Sequence, residues 1–191
     1  RFMKNIFKLL LIITTLSFSL SNANALTIQD IAEKALNSTV VVVVEDKQGN
    51  TLKFGSGFVV GGGAVVSNHH VISGGATGYV IHNDKAFKIL GILASDYKND
   101  LVLLKIDKHK IPPLSIYKAD DLKIGANVFV AGNPLGMSGT FSEGMLSSIR
   151  NIEGKELYQI TAPIQGGNSG GPLFDDKGNL IGINSSGLSK D

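Results

Sequence analysis

Ser169 stands in the run Gly166-Gly167-Asn168-Ser169-Gly170-Gly171-Pro172, a hydroxyl framed by glycines just ahead of an apolar segment. Glycines at this density let the backbone approach a bound molecule closely and adopt the torsions that aim successive N–H groups at one point. A serine hydroxyl is a weak nucleophile until a neighbouring base takes its proton, so the run needs a histidine and a group to orient that histidine. Both occur upstream. His70, in Ser67-Asn68-His69-His70-Val71-Ile72, follows the apolar stretch 64–67. Asp100 immediately precedes the apolar run Leu101-Val102-Leu103-Leu104. A base and a carboxylate at two strand mouths, with the serine in a glycine loop, is a set able to perform acyl transfer. Taken alone, the glycine run also fits a hairpin loop with an incidental serine.

These residues must be positioned by short strands. Apolar and β-branched runs at 40–44, 52–60, 64–67, 78–82, 87–94 and 101–106 predict six strands that close one small antiparallel barrel. Pro112-Pro113 interrupts the chain. A second set at 114–117, 128–131, 140–149, 157–161, 172–174 and 180–184 predicts a second barrel, or most of one. Gly49-Asn50, Gly61-Gly62-Gly63 and Gly178-Asn179 fall between runs, where positive φ is wanted. Ahead of the strands, Thr27 is placed to cap a short helix ending near Asn37, with Ile28, Ile31, Ala35 and Leu36 on one face. No long helical pattern alternates with the strands, which excludes a parallel α/β sheet. The fold class expected is all-β. Its domains are residues 26–111, with the helix, His70 and Asp100, and residues 112–191, with Ser169.

Composition agrees. The 191 residues are 43% hydrophobic and 18% charged, with 23 glycines and no cysteine. That suits a packed core and many tight turns, and no disulfide can hold the fold together. A net charge of +2, with both signs interspersed between Asp84 and Asp121, offers no basic stripe for nucleic acid. At the N-terminus, Lys4 and Lys8 precede an apolar stretch from Leu9 to Leu20 and then Ala23-Asn24-Ala25. A basic head, a short apolar run and an A-x-A site read as an export signal over residues 1–25. A membrane anchor is the competing reading, but spanning a bilayer takes about 20 apolar residues, and this stretch is interrupted by Thr14, Thr15, Ser17 and Ser19. The mature chain is therefore expected to have no membrane span and to be periplasmic or secreted.

Five ordered blocks carry a resemblance. They are Gly55-Ser56-Gly57-Phe58-Val59-Val60, Ser67-Asn68-His69-His70-Val71, Asn99-Asp100-Leu101-Val102-Leu103-Leu104-Lys105, Gly132-Asn133-Pro134-Leu135-Gly136 and the segment from Gln159 to Leu173. In this order they resemble the signature blocks of the HtrA/Deg family of trypsin-like serine proteases. The resemblance implies two six-stranded antiparallel barrels of the chymotrypsin type. It implies that His70 is the general base, Asp100 the acid that orients it and Ser169 the nucleophile. The backbone N–H groups of Gly167 and Ser169 would form the oxyanion hole. His69 would be a neighbour, Asp96 a turn residue, and His82 and His109 solvated loop histidines. Asn168, where digestive relatives carry Asp, implies that no zymogen clipping is needed. Pro163 and Ile164 would lie near the floor of the primary pocket, which favours small or medium apolar side chains over Lys or Arg. Ile183, Asn184 and Ser185 would pair with substrate backbone.

The implied activity is serine endopeptidase, acting on polypeptides, unfolded proteins among them, in periplasmic quality control. Neither a metal nor an organic cofactor is expected, since adjacent histidines at one strand end are poor ligand spacing. Oligomerisation is compatible with the sequence. Because the chain stops soon after Ser185, the second barrel is expected to lack its last strand, and a fragment of a longer protein is one reading. A catalytically silent binding or chaperone module on the same fold is the alternative function, and an ester-cleaving enzyme is disfavoured by the strand order.

Overall fold

A computed structural model describes residues 26–117, 122–133 and 139–185. Residues 1–25, where an export signal is expected, and the Pro134-Leu135-Gly136 portion of the fourth sequence block lie outside these residues.

Helix α1 (Ile28–Ser38) begins at Thr27 with a capping box: Thr27 Oγ1 accepts from the Asp30 N–H and the Asp30 carboxylate accepts from the Thr27 N–H. The Thr27 hydroxyl and then the Thr27 N–H, both donating to Asp30 Oδ2, hold the Asp30 carboxyl below the usual carboxylate range. Strands β1 (Thr39–Glu45), β2 (Thr51–Val60), β3 (Ala64–Asn68), β4 (Thr77–His82), β5 (Lys85–Asp96) and β6 (Leu101–Ile106) close into a barrel in the order β1-β2-β3-β6-β5-β4. Strand alternation sorts the side chains. Val40, Val42 and Val44 of β1 fill the barrel with Val59, Val65, Val80, Val102 and Leu104. Phe58 and Val60, flanking Val59, point out of it.

Those outward residues meet the second half of the chain. Strands β7 (Asn127–Gly132), β8 (Thr140–Ile152), β9 (Lys155–Ile160), β10 (Pro172–Asp175) and β11 (Leu180–Ile183) form a curled antiparallel sheet in the order β11-β10-β7-β8-β9. Phe58, Val60 and Ala64 bury against Phe129, Ala131, Phe174 and Leu180, and Ile31 and Ala35 of α1 complete the cluster. Lys34 Nζ also donates to the Gly178 carbonyl at 2.7 Å, so the helix fastens to the β10–β11 hairpin. A helix expected to accompany the first barrel thus packs against both halves.

Two expectations need correction. Residues 114–117 make no strand: Leu114 and Ile116 form isolated parallel bridges to Val60 and Leu180. Pro112 and Pro113, which lack N–H donors, and the exposed Ile116 explain why no ladder continues there. His82 and His109 are half-buried and bonded through both ring nitrogens, not solvated. His109 Nε2 meets the Gly63 carbonyl at 2.9 Å and its Nδ1 accepts from the Ile111 N–H at 3.1 Å, so the proton must sit on Nε2. His82 bridges the Thr39 carbonyl and Asn83 in the same manner.

The hairpins share one device. In Asp46-Lys47-Gln48-Gly49-Asn50 and Asp175-Asp176-Lys177-Gly178-Asn179, the first Asp accepts from the backbone N–H of the third and fifth residues, and glycine takes φ of 84° and 73°.

Candidate active site

His70 lies in the single-turn helix α2 (His69–Ile72), which follows β3 directly with Asn68 as its N-cap. The turn is pinned to the start of β6. The His69 N–H and Asn68 Nδ2 both donate to the Asp100 carbonyl, at 3.1 and 2.9 Å. The His70 N–H donates to Asp100 Oδ1 at 2.8 Å, and His70 Nδ1 meets Asp100 Oδ2 at 2.6 Å. A carboxylate at Nδ1 requires the proton there, which leaves Nε2 as a proton acceptor. Asp100 holds this pose at φ +55°, a left-handed torsion that Asp tolerates better than most residues. Its carbonyl and carboxylate bonds over-determine that torsion. The His70 and Asp100 side chains remain 48% and 32% exposed, so the pair is open to solvent.

Asp96 has a different job. Its carboxylate accepts from the Asn99 N–H and Asn99 Nδ2, which keeps its pKa below the usual range and shapes the turn leading to Asp100. Tyr97, in that turn, lies against His69, the two rings tilted by 45° with centroids 4.0 Å apart.

Ser169 lies in the loop just ahead of β10 and is held to the first barrel. The Ser56 N–H of β2 donates to the Ser169 carbonyl at 2.8 Å. Gly55 has room for no side chain, because a methyl there would lie 2.8 Å from both Val71 methyls and 3.1 Å from the Ser169 carbonyl oxygen. The residue after His70 and the backbone of Ser169 are therefore separated by the width of one glycine. Around Ser169, the Asn168 N–H closes a turn on the Gln165 carbonyl, with Gly167 at φ +102°. The Gly170 N–H donates to the Asn184 carbonyl, and the Asn184 N–H to the Gly171 carbonyl, both at 2.8 Å.

Of the expected substrate contacts, Ile164 and Ile183 are half-buried and Ser185 exposed, whereas Asn184 is buried. Its side-chain amide points at the Ala131 and Pro172 carbonyls. Two residues that bind the two halves together were not singled out from the sequence: Ser56 and Asn133. The signal existed for Ser56, since glycines on both sides of a strand residue mark close backbone approach.

Comparison with known proteins agrees with this geometry. Residues 55–183 match the trypsin-like peptidase domain family. The chain is 37% identical over 145 residues to a probable periplasmic serine endoprotease, DegP-like, of Pseudomonas fluorescens, covering 73% of this chain and 30% of that protein. It is 37% identical over 153 residues to the chloroplastic protease Do-like 1 of Arabidopsis thaliana, covering 74% and 34%. It thus spans about a third of the length of these curated relatives. Among solved structures, a Mycobacterium tuberculosis protease in its active form superposes with a TM-score of 0.76 at 26% identity, over 88% of this chain and 78% of that one. An HtrA-type protease solved with a tripeptide gives 0.76 at 28% identity, over 86% and 56%. The chain belongs to the HtrA/Deg-like family of trypsin-like serine proteases.

Proposed function

We propose that this chain is an exported serine endopeptidase that hydrolyses polypeptides by two-step acyl transfer. The observation that carries the reading is the 2.6 Å contact between His70 Nδ1 and Asp100 Oδ2, with the side chain of the next residue, Val71, one glycine's width from the Ser169 backbone. His70 Nε2 takes the Ser169 proton as Oγ attacks the peptide carbonyl, then gives it to the leaving amine. Water repeats the cycle on the acyl-enzyme. Asp100 holds the tautomer. The N–H groups of Gly167 and Ser169 bind the oxyanion, a contribution worth about 2.7–4 kcal/mol per donor.

The primary pocket, near Pro163 and Ile164, takes small or medium apolar side chains, because neither residue could pair a buried cation. Substrate backbone runs beside Ile183 and Ser185. Asn184 supports that segment, its amide and carbonyl being engaged by Gly171 and Gly170. Relatives named as periplasmic serine endoproteases support export.

Labelling of the purified chain with a fluorophosphonate probe tests the reading. Wild type should be labelled, and Ser169→Ala and His70→Ala should not. A folded wild type that resists labelling and cleaves no peptide is a silent binding module, and the proposal fails.

A further inference from the structure

Ser56 is fully buried in β2 and turns its N–H and its hydroxyl to the junction between barrel and sheet. Its N–H donates to the Ser169 carbonyl at 2.8 Å, and its carbonyl accepts from Ser67 Oγ at 2.7 Å. Its hydroxyl lies 2.7 Å from the Gly167 carbonyl and 2.8 Å from the Asn133 N–H. The direction of these bonds is fixed. The Asn133 N–H can only donate, so the single hydroxyl proton goes to the Gly167 oxygen.

That oxygen belongs to the peptide joining Gly167 to Asn168, which lies between the two amides assigned above to the oxyanion. Gly167 at φ +102° has no Cβ to resist rotation of this peptide. Within the turn, the Asn168 N–H is held by the Gln165 carbonyl on one side only. The Ser56 N–H fixes the next carbonyl but one, at Ser169. We propose that the Ser56 hydroxyl is a positioning group for the oxyanion hole: by anchoring the Gly167 carbonyl to the first barrel, it sets the rotation of the intervening peptide so that both amides converge. The inference rests on the protease reading above. Packing alone does not call for a hydroxyl here. Its neighbours in the strand are glycines, and an alanine at 56 would fill nearly the same space while leaving the bond from the backbone N–H to Ser169 intact.

Ser56→Ala in the full chain tests this, with Ser56→Cys as a second variant that keeps a weak donor should the first fail to fold. Oxyanion contacts act in the transition state, so kcat should fall about 10-fold or more, short of the 10²–10³ lost when a donor is removed outright. KM should stay within about 2-fold. Affinity for a peptide boronic acid, whose tetrahedral adduct presents an oxyanion, should weaken in parallel with kcat. Affinity for the product peptide and the shape of the pH profile should not change. Ser56→Cys should recover part of the loss. A folded Ser56→Ala enzyme with wild-type kcat and boronate affinity overturns the inference while the protease reading stands. A loss in which product affinity falls equally, or the pH profile shifts, also overturns it, because the whole site has then moved. A wild type that neither labels nor cleaves removes both readings together.

Discussion

Replacing Gly170 by alanine should damage this fold, while replacing Gly166 in the same run should not. A methyl on Gly170 would fall on the Ser56 carbonyl oxygen, far inside van der Waals contact, and 2.5 Å from Ser67 Oγ. The residue also sits at φ +90°, a region that costs an L side chain about 1–2 kcal/mol. Forcing a methyl into a closed site adds about 1–3 kcal/mol, and the displaced carbonyl is the acceptor for Ser67. The sum is roughly 2–5 kcal/mol, against a total stability of about 5–15 kcal/mol for a domain. At about 2–4 °C per kcal/mol for this size, Tm should drop by roughly 4–20 °C. Gly166 has nothing within 4 Å of a new methyl and no positive φ. Its alanine variant should lie within about 0.5 kcal/mol of the parent. Both are measured by urea and thermal unfolding in a Ser169→Ala background, which removes self-cleavage. Equal stabilities for the two variants would refute the reasoning, because the structure distinguishes them by contact and torsion alone.

Asp100→Asn keeps a residue that tolerates φ +55° but offers His70 Nδ1 an amide able to stabilise the wrong tautomer; kcat should fall about 10⁴-fold with the fold intact, and a loss under tenfold would exclude Asp100 from the triad. Acid should loosen the start of α1. The Asp30 pKa is depressed in the folded state, so its contribution is present above the unfolded value of about 3.9 and is lost as pH falls through the lower folded value. Hydrogen exchange at the Thr27 amide should accelerate there relative to the exchange rates of β1, and Asp30→Asn should abolish that pH dependence; persistence of the effect in the variant would assign it elsewhere.

The barrel was legible in the sequence because each strand repeats an apolar pattern of period two between turn residues, and β1 shows both faces buried by being valine throughout. Helix α1 was equally plain from Thr27 and the spacing of Ile31 and Ala35. What the sequence did not show is where alternation stops meaning a strand. Residues 114–117 have the right composition, but a ladder needs a partner with free groups, and the bridges at Leu114 and Ile116 are isolated. His82 and His109 look polar beside charged neighbours, yet one nitrogen of each meets a carbonyl 43 or 46 positions away, at Thr39 and Gly63, a fact no local pattern carries. Candidate triad members could be chosen because each abuts a strand or sits among glycines. The inter-half bonds of Ser56 and Asn133 join residues 77 to 111 positions apart, and only the folded chain brings them together.

His109, with its proton fixed on Nε2 by Gly63 and its other nitrogen occupied by Ile111, ties the turn between β2 and β3 to the segment leaving the barrel. Residue 111 is the last before Pro112, so this imidazole clasps the point at which the chain departs toward the sheet. The tether between the halves therefore starts from a fixed anchor instead of a loose end, which shortens the span of free chain that the docking sheet must search. Assembly of a site split between two separately cored units becomes a problem of short reach.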